Sequence, residues 1–284
     1  MRRHLPVHRA LITAAVMVIV LVSGTAGCGH QDTRHSGSAS PSGQPTRQPG
    51  EALAPPGGSP AQGRAAVPSP GVGPTSPGFP TTPAPQPVAI RGGAAAPIYH
   101  RLPVHQPVAF LTMDDGQVQL PGAPALMRTV HVPFTMFLIA PVAAGNPEFF
   151  RQLVAAGGVI EDHTLTHRSL RGLPYPIQRR EICGARDSLR ATFGAPPRFF
   201  RPPYGNYDHN TLAAVHDCGL EAAFHWSETV REGKVFYQTP DHRIQPGDII
   251  LMHFRSTFVQ DVTAALTAIR ASGLTPALLE DYIR

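Results

Sequence analysis

The chain has 284 residues, 42% of them apolar, 15% charged and 7% aromatic, with 32 Pro and 27 Gly. That is too apolar for a chain that is all linker and too poor in charge for a disordered polyelectrolyte, and a single long apolar run, residues 10–22, excludes a polytopic transporter. The net charge of +5 lies in residues 1–97, which hold seven Arg and two acids, whereas residues 98–284 hold 17 basic and 17 acidic residues and have no electrostatic basis for nucleic-acid binding.

Residues 1–28 read as an export signal. Three Arg precede the apolar run, which is of signal-peptide length, and Ser23-Gly24-Thr25-Ala26-Gly27 leads to Cys28. Small residues before a Cys resemble a lipobox, which implies cleavage and a lipid anchor on Cys28. The alternative is plain secretion after cleavage near Ala26. Either way an extracytoplasmic location is expected, at the cell membrane if Cys28 is lipidated.

Residues 29–97 hold 15 Pro and 12 Gly, with Phe79 as their one aromatic. The composition predicts an extended or disordered linker, spanning about 45 Å r.m.s. as a flexible chain. Residues 98–284 are then the folded domain.

Within it, residues 108–113 form an apolar strand ending in Asp114-Asp115-Gly116, and 134–140 a second apolar run. A helix over 148–156 stops at Gly157-Gly158, and 159–161 is a strand. The longest helical pattern covers 177–193, with Ile182, Ala185 and Leu189 on one face and Gly194 as stop signal. Strands follow at 198–200, 220–224 and 248–252, and helices at 210–216 and 259–271. This alternation predicts an α/β fold with a parallel sheet, a small or irregular (β/α) barrel. Cys183 and Cys218 are candidates for a disulfide in an exported domain.

Asp114, Asp115, His163, Arg201, Trp226 and His253 all fall at or just past strand C-termini, the face where parallel barrels build their sites. His163 and His167 are four apart and share a face if they begin a helix. Two His and one carboxylate are a three-ligand set that leaves a position open, as in catalytic zinc sites. Asp114 and Asp115 point to opposite sides of a strand, so one can bind a metal while the other handles a proton.

These pieces, in order, resemble the motifs of the polysaccharide deacetylase family, carbohydrate esterase family 4, also called the NodB-homology domain. Residues 112–116 (Thr-Met-Asp-Asp-Gly) are similar to its first motif, residues 163–167 to its second, residues 201–205 (Arg-Pro-Pro-Tyr-Gly) to its third, and residues 251–253 to its fifth. The resemblance implies roles. Asp114 is the general base, with Arg201 paired to it. Asp115, His163 and His167 hold a divalent metal, zinc by default, with cobalt or nickel as alternatives. His253 is the general acid, Leu251 lines the acetyl pocket and the Tyr204 backbone N–H faces the oxyanion. The fourth motif departs: three residues before Trp226 stands Ala223 instead of the Asp that pairs with the acidic His. Glu228 is the candidate replacement, or His253 has no carboxylate partner. Trp226 is a candidate to stack on a sugar ring.

The resemblance implies removal of N-acetyl groups from cell-wall or related polysaccharide. Two alternatives stay open: O-acetyl ester cleavage, as on xylan, and a non-catalytic glycan-binding lipoprotein on the same scaffold.

Overall fold

The computed structural model describes residues 78–90 and 93–284. Residues 1–28, which read as an export signal, and linker residues 29–77 lie outside the described residues. The two-residue strand β1 (Ile98–Tyr99) and the eight-residue strand β2 (Val108–Asp115) lead to α1 (Ala123–Val130), β3 (Phe134–Leu138), α2 (Ala140–Gly145) and α3 (Pro147–Ala155). Next come β4 (Gly158–Asp162), α4 (Tyr175–Phe193), β5 (Phe199–Phe200), α5 (His209–Asp217) and β6 (Ala222–Phe224). A hairpin of β7 (Glu228–Arg231) and β8 (Lys234–Tyr237) precedes β9 (Ile249–His253), α6 (Phe258–Ala271) and β10 (Thr275–Ala277).

The strand order is β1-β6-β5-β4-β3-β2-β9-β7-β8, with β10 beside the first half of β2. Only the β7–β8 pair is antiparallel. One bridge carries the β1 end of the sheet back to β9. Just past β1, Arg101 forms an isolated antiparallel bridge to Asp248, the residue before β9. Arg101 Nε also donates to Asp248 Oδ1 at 2.5 Å. This is the small, irregular (β/α) barrel that the alternation predicts, and the one-bridge seam is its irregularity.

The alternation of side chains along β2 splits the core in two. Val108 and Phe110 point inward with Phe137, Phe199, Phe224 and Tyr282. Ala109, Leu111 and Met113 point outward and are covered by the helices, with Phe150 of α3 and Ile269 of α6 in the same cluster. Each fully buried Phe is worth roughly 2–3 kcal/mol relative to exposure. The aromatic plug fills the barrel interior, and polar groups gather at the strand C-termini.

Long helix α4 buries Ile182, Ala185 and Leu189 as their spacing predicts, and Gly194 caps it in the left-handed region at φ 87°. Cys183 and Cys218 form a disulfide that ties α4 to the end of α5, with Cα atoms 5.0 Å apart and 35 residues of separation. Replacing both with Ser is expected to cost about 3–4 kcal/mol through loop-closure entropy, read as a lower urea midpoint.

Three features escape local reading. Helices α1 and α2 are short and enter through Pro at their first turns, so they read as turns. The β7–β8 hairpin turns at Glu232-Gly233, both at positive φ (53° and 70°), which suits a tight hairpin. And residues 78–90, counted with the linker, lie along the domain. Val88 bridges Ile283 in parallel, the Ile90 N–H donates to the Arg284 carbonyl at 2.7 Å, and the Arg270 guanidinium covers the Phe79 ring at 4.8 Å. A Pro-rich strand can pair along an edge, and its partner here is the far end of the described chain, so composition alone did not show it.

Candidate functional site

The parallel strands deliver the polar residues to one face. The register sets Asp114 beside His253 on β9 and Asp115 beside Leu138 on β3. Simple alternation would send Asp114 and Asp115 to opposite sides, but Asp115 has φ 77° and Gly116 φ 85°. This left-handed end breaks the strand period, so both carboxylates share the mouth. His163 Nε2 lies 3.7 Å from Asp114 Oδ2 and 3.5 Å from Asp115 Oδ1. Gly116 is required by space as well as by φ, since a Cβ there would stand 2.8 Å from Phe150 Cζ.

Arg201, just past β5, is fully buried. Its Nη1 donates to Asp114 Oδ1 at 2.7 Å and to Thr112 Oγ1 at 2.8 Å, and Nη2 donates to the His225 carbonyl at 3.0 Å. The guanidinium lies over the Phe137 ring at 4.2 Å. Burial lowers its pKa from the usual arginine value, and the Asp114 charge opposes that loss. Asp114 is thus clamped from one side with its second oxygen turned to His163.

The histidines arrive by a loop, not by the helix their spacing suggested. Residues 163–167 turn through two non-glycine residues in the left-handed region, Thr164 at φ 73° and His167 at φ 54°. His163 Nδ1–H donates to the Arg201 carbonyl at 2.7 Å, which leaves its Nε2 lone pair facing the carboxylates. His167 Nε2 lies 3.2 Å from Asp115 Oδ1, and its Nδ1 meets the Tyr204 hydroxyl at 3.2 Å.

One ligand atom from each of Asp115, His163 and His167 falls within 4.8 Å of the others. Asp115 Oδ1 is buried with no hydrogen-bond donor aligned to it. Burial opposes a charge on Asp115, yet its two imidazole neighbours and His253 hold its carboxyl well below the usual carboxylate range. Acceptor atoms crowded around one spot call for a cation, and this nitrogen–nitrogen–oxygen set suits a borderline divalent ion such as zinc.

Inward-facing Leu251 lies two residues below His253 on β9 and is 3% exposed, fit to wall a small pocket. His253 has its pKa lowered by burial, against the pull of Asp114 and Asp115. Its Nδ1 is buried without a partner.

Glu228, the candidate tuning carboxylate, is not that partner. Parallel pairing sets it opposite Ile250, three residues before His253, or about 10 Å along a strand. It faces Asp248 at the seam instead. Trp226 is not a free sugar platform either. His225 stacks on its ring at 4.0 Å with an interplanar angle of 12°, and the indole packs against the interior cluster. Tyr204 is the exposed aromatic at the mouth, 65% exposed and at φ 59°.

One contributor, Thr112, was missed. Thr112 orients Arg201 while its own hydroxyl donates to the Ile250 carbonyl at 2.8 Å. Its signal was available, because it lies two residues before Asp114 and so on the same strand face. His225 packs on the Tyr204 turn, where a Cβ on Gly205 would come 2.2 Å from His225 Nε2. Burial, then His100 and Arg201, push the His225 pKa down to about 4.

The polysaccharide deacetylase family model matches residues 101–223, which include Asp114, Asp115, His163, His167 and Arg201. An uncharacterized protein of Streptomyces coelicolor is 38% identical over 200 residues, covering 69% of this chain and 80% of that one. A chitooligosaccharide deacetylase of Sinorhizobium fredii is 32% identical over 155 residues, 52% of this chain and 72% of that one. Among solved structures, a CE4 family pseudoenzyme from Bacillus anthracis superposes with a TM-score of 0.59 at 21% identity, covering 66% of this chain and 69% of that one. That last likeness is one of fold.

Proposed function

Because the chain belongs to the polysaccharide deacetylase family, we propose that it is a metal-dependent hydrolase removing N-acetyl groups from cell-wall or related polysaccharide. The convergence of Asp115, His163 and His167 beside the buried Asp114–Arg201 pair carries this reading. A divalent ion held by those three residues would supply Lewis-acid polarisation of the acetyl carbonyl and an acidified water at neutral pH.

The chain's own residues then divide the work. Asp114 takes the proton of the attacking water, and Arg201 holds it aimed. The Tyr204 backbone N–H is assigned the developing oxyanion. Leu251 walls the acetyl methyl. His253 gives a proton to the departing amine nitrogen, which an amide requires because its anion is a very poor leaving group.

The chitooligosaccharide deacetylase relative supports an N-acetylated glycan as substrate. The export signal and the Cys183–Cys218 disulfide support a site of action outside the cytoplasm, with Cys28 as the proposed membrane anchor. A second reading, O-acetyl ester cleavage, is favoured by the unpartnered His253 Nδ1, since an alkoxide leaves with less help from an acid.

The test is acetate release by the full chain from N-acetylglucosamine oligomers, peptidoglycan and acetylxylan. Release from the first two is expected, lost on chelation, regained with zinc or cobalt, and absent in Asp115→Ala. Release from acetylxylan alone would establish the esterase. Glycan retention without acetate would leave a binding scaffold.

A further inference from the structure

Helix α4 carries a residue outside every motif that touches the histidine loop. Glu181 is 4% exposed and commits both carboxylate oxygens to Thr166, the residue before His167. Its Oε2 accepts the Thr166 N–H at 2.9 Å and its Oε1 the Thr166 hydroxyl at 2.9 Å. On the other side of His167, Arg168 Nε lies 3.4 Å from the same Oε1.

One turn along the same helix face, Gly184 makes room for Leu165. A Cβ on Gly184 would fall 2.6 Å from Leu165 Cδ1. Glycine inside a helix costs roughly 0.5–1 kcal/mol relative to Ala, so its presence here fits a close approach. Glu181 and Gly184 thus receive consecutive residues, 166 and 165, from between the two histidines.

The loop needs such a template. Its left-handed turns at Thr164 and His167 each cost roughly 1–3 kcal/mol, and no helix holds them. The near end is fixed by the Thr164 N–H donating to Asp162 Oδ1 at 2.8 Å and the His167 N–H donating to Thr164 Oγ1 at 3.0 Å. Among the described residues, Glu181 is the carboxylate that grips the far half.

We propose that Glu181 is the positioning residue for His167. Through Thr166 it fixes the backbone from which that imidazole reaches Asp115, and so sets the affinity of the site for a divalent cation. The inference rests on reading Asp115, His163 and His167 as metal ligands.

Zinc affinity of the full chain, measured by competition with a chromophoric chelator, tests it. Glu181→Gln keeps an acceptor for the Thr166 N–H and a donor for the Thr166 hydroxyl, so its affinity is expected within about threefold of wild type. Glu181→Leu strands a buried N–H and is expected to bind about 10–100-fold more weakly, with turnover recovering in excess zinc. Thr166→Val keeps the N–H contact to Glu181 but removes the hydroxyl's bond to Glu181 and the one it accepts from Arg168 Nε at 3.1 Å, and should fall between them, which keeps the test decisive if the Leu variant does not fold. Wild-type affinity in a folded Glu181→Leu or in Thr166→Val, alongside loss in Asp115→Ala, would overturn the role of Glu181 alone. A wild-type chain that binds no zinc, or an Asp115→Ala variant that binds it equally well, would overturn the ligand assignment and this inference together.

Discussion

Arg201→Met is expected to lower turnover by about 10²–10⁴-fold and to cost about 3–5 kcal/mol of stability. Both effects have one origin. The guanidinium is wholly buried, and its nearest charge is Asp114, itself 2% exposed. Methionine has similar bulk and keeps the contact with Phe137, but strands the Asp114 carboxylate and the His225 carbonyl that Arg201 now satisfies. An uncompensated buried charge is far costlier than the pair was worth. Lysine is no substitute, because a single ammonium cannot span acceptors arranged for a planar fork. Urea denaturation and acetate release separate the two effects when Asp114→Asn is added. The double variant should regain part of the stability, its buried charge being gone, and none of the turnover. An Arg201→Met chain of wild-type stability would show that the pair does not hold Asp114 as described.

How much of this was readable beforehand depends on which residues act locally. The ends of apolar runs placed Asp114, His163, Arg201 and His253 on one face, because strand period and parallel topology follow from short-range pattern. The buried face of α4 was readable for the same reason. What failed was set by backbone conformation or by register. Asp115 joins Asp114 only because its φ is positive, a choice that the adjacent Gly116 permits but does not announce. The His163–His167 spacing is as consistent with a helix as with the loop that forms. Glu228 lies two residues from Trp226 in sequence, yet strand pairing carries it away from His253. The docking of residues 78–90 depends on Ile283 and Arg284, some 195 positions away. Glu181 looked like any acid on an amphipathic helix, and only the fold shows that it faces Thr166.

Glu228→Gln is expected to stabilise the protein at pH 8 and to leave it unchanged at pH 4. Glu228 is fully buried, and burial together with Asp248 pushes its pKa up to about 8, with Arg101 opposing and Asp241 adding to the rise. Asp248 is engaged by Arg101 Nε at 2.5 Å and by the Gln245 N–H at 2.6 Å, so the proton resides on Glu228. In the unfolded chain Glu228 ionises near its ordinary value of about 4.3. Below that pH both states hold the proton and the group contributes no pH dependence. Between about 4.5 and 8 the unfolded chain releases the proton while the folded chain keeps it, so stability falls as pH rises. The loss reaches on the order of 3–5 kcal/mol and is constant once the folded group has ionised. The weakened point is the seam where Arg101 and Asp248 close the barrel. Glutamine keeps a neutral donor toward Asp248 and cannot ionise, so its stability should stay flat across that window. The pH profile of turnover should not change, because Glu228 pairs with Ile250 and not with His253. Unfolding midpoints from pH 4 to pH 9 decide the matter: equal slopes in both proteins would mean that Glu228 is already ionised at the seam.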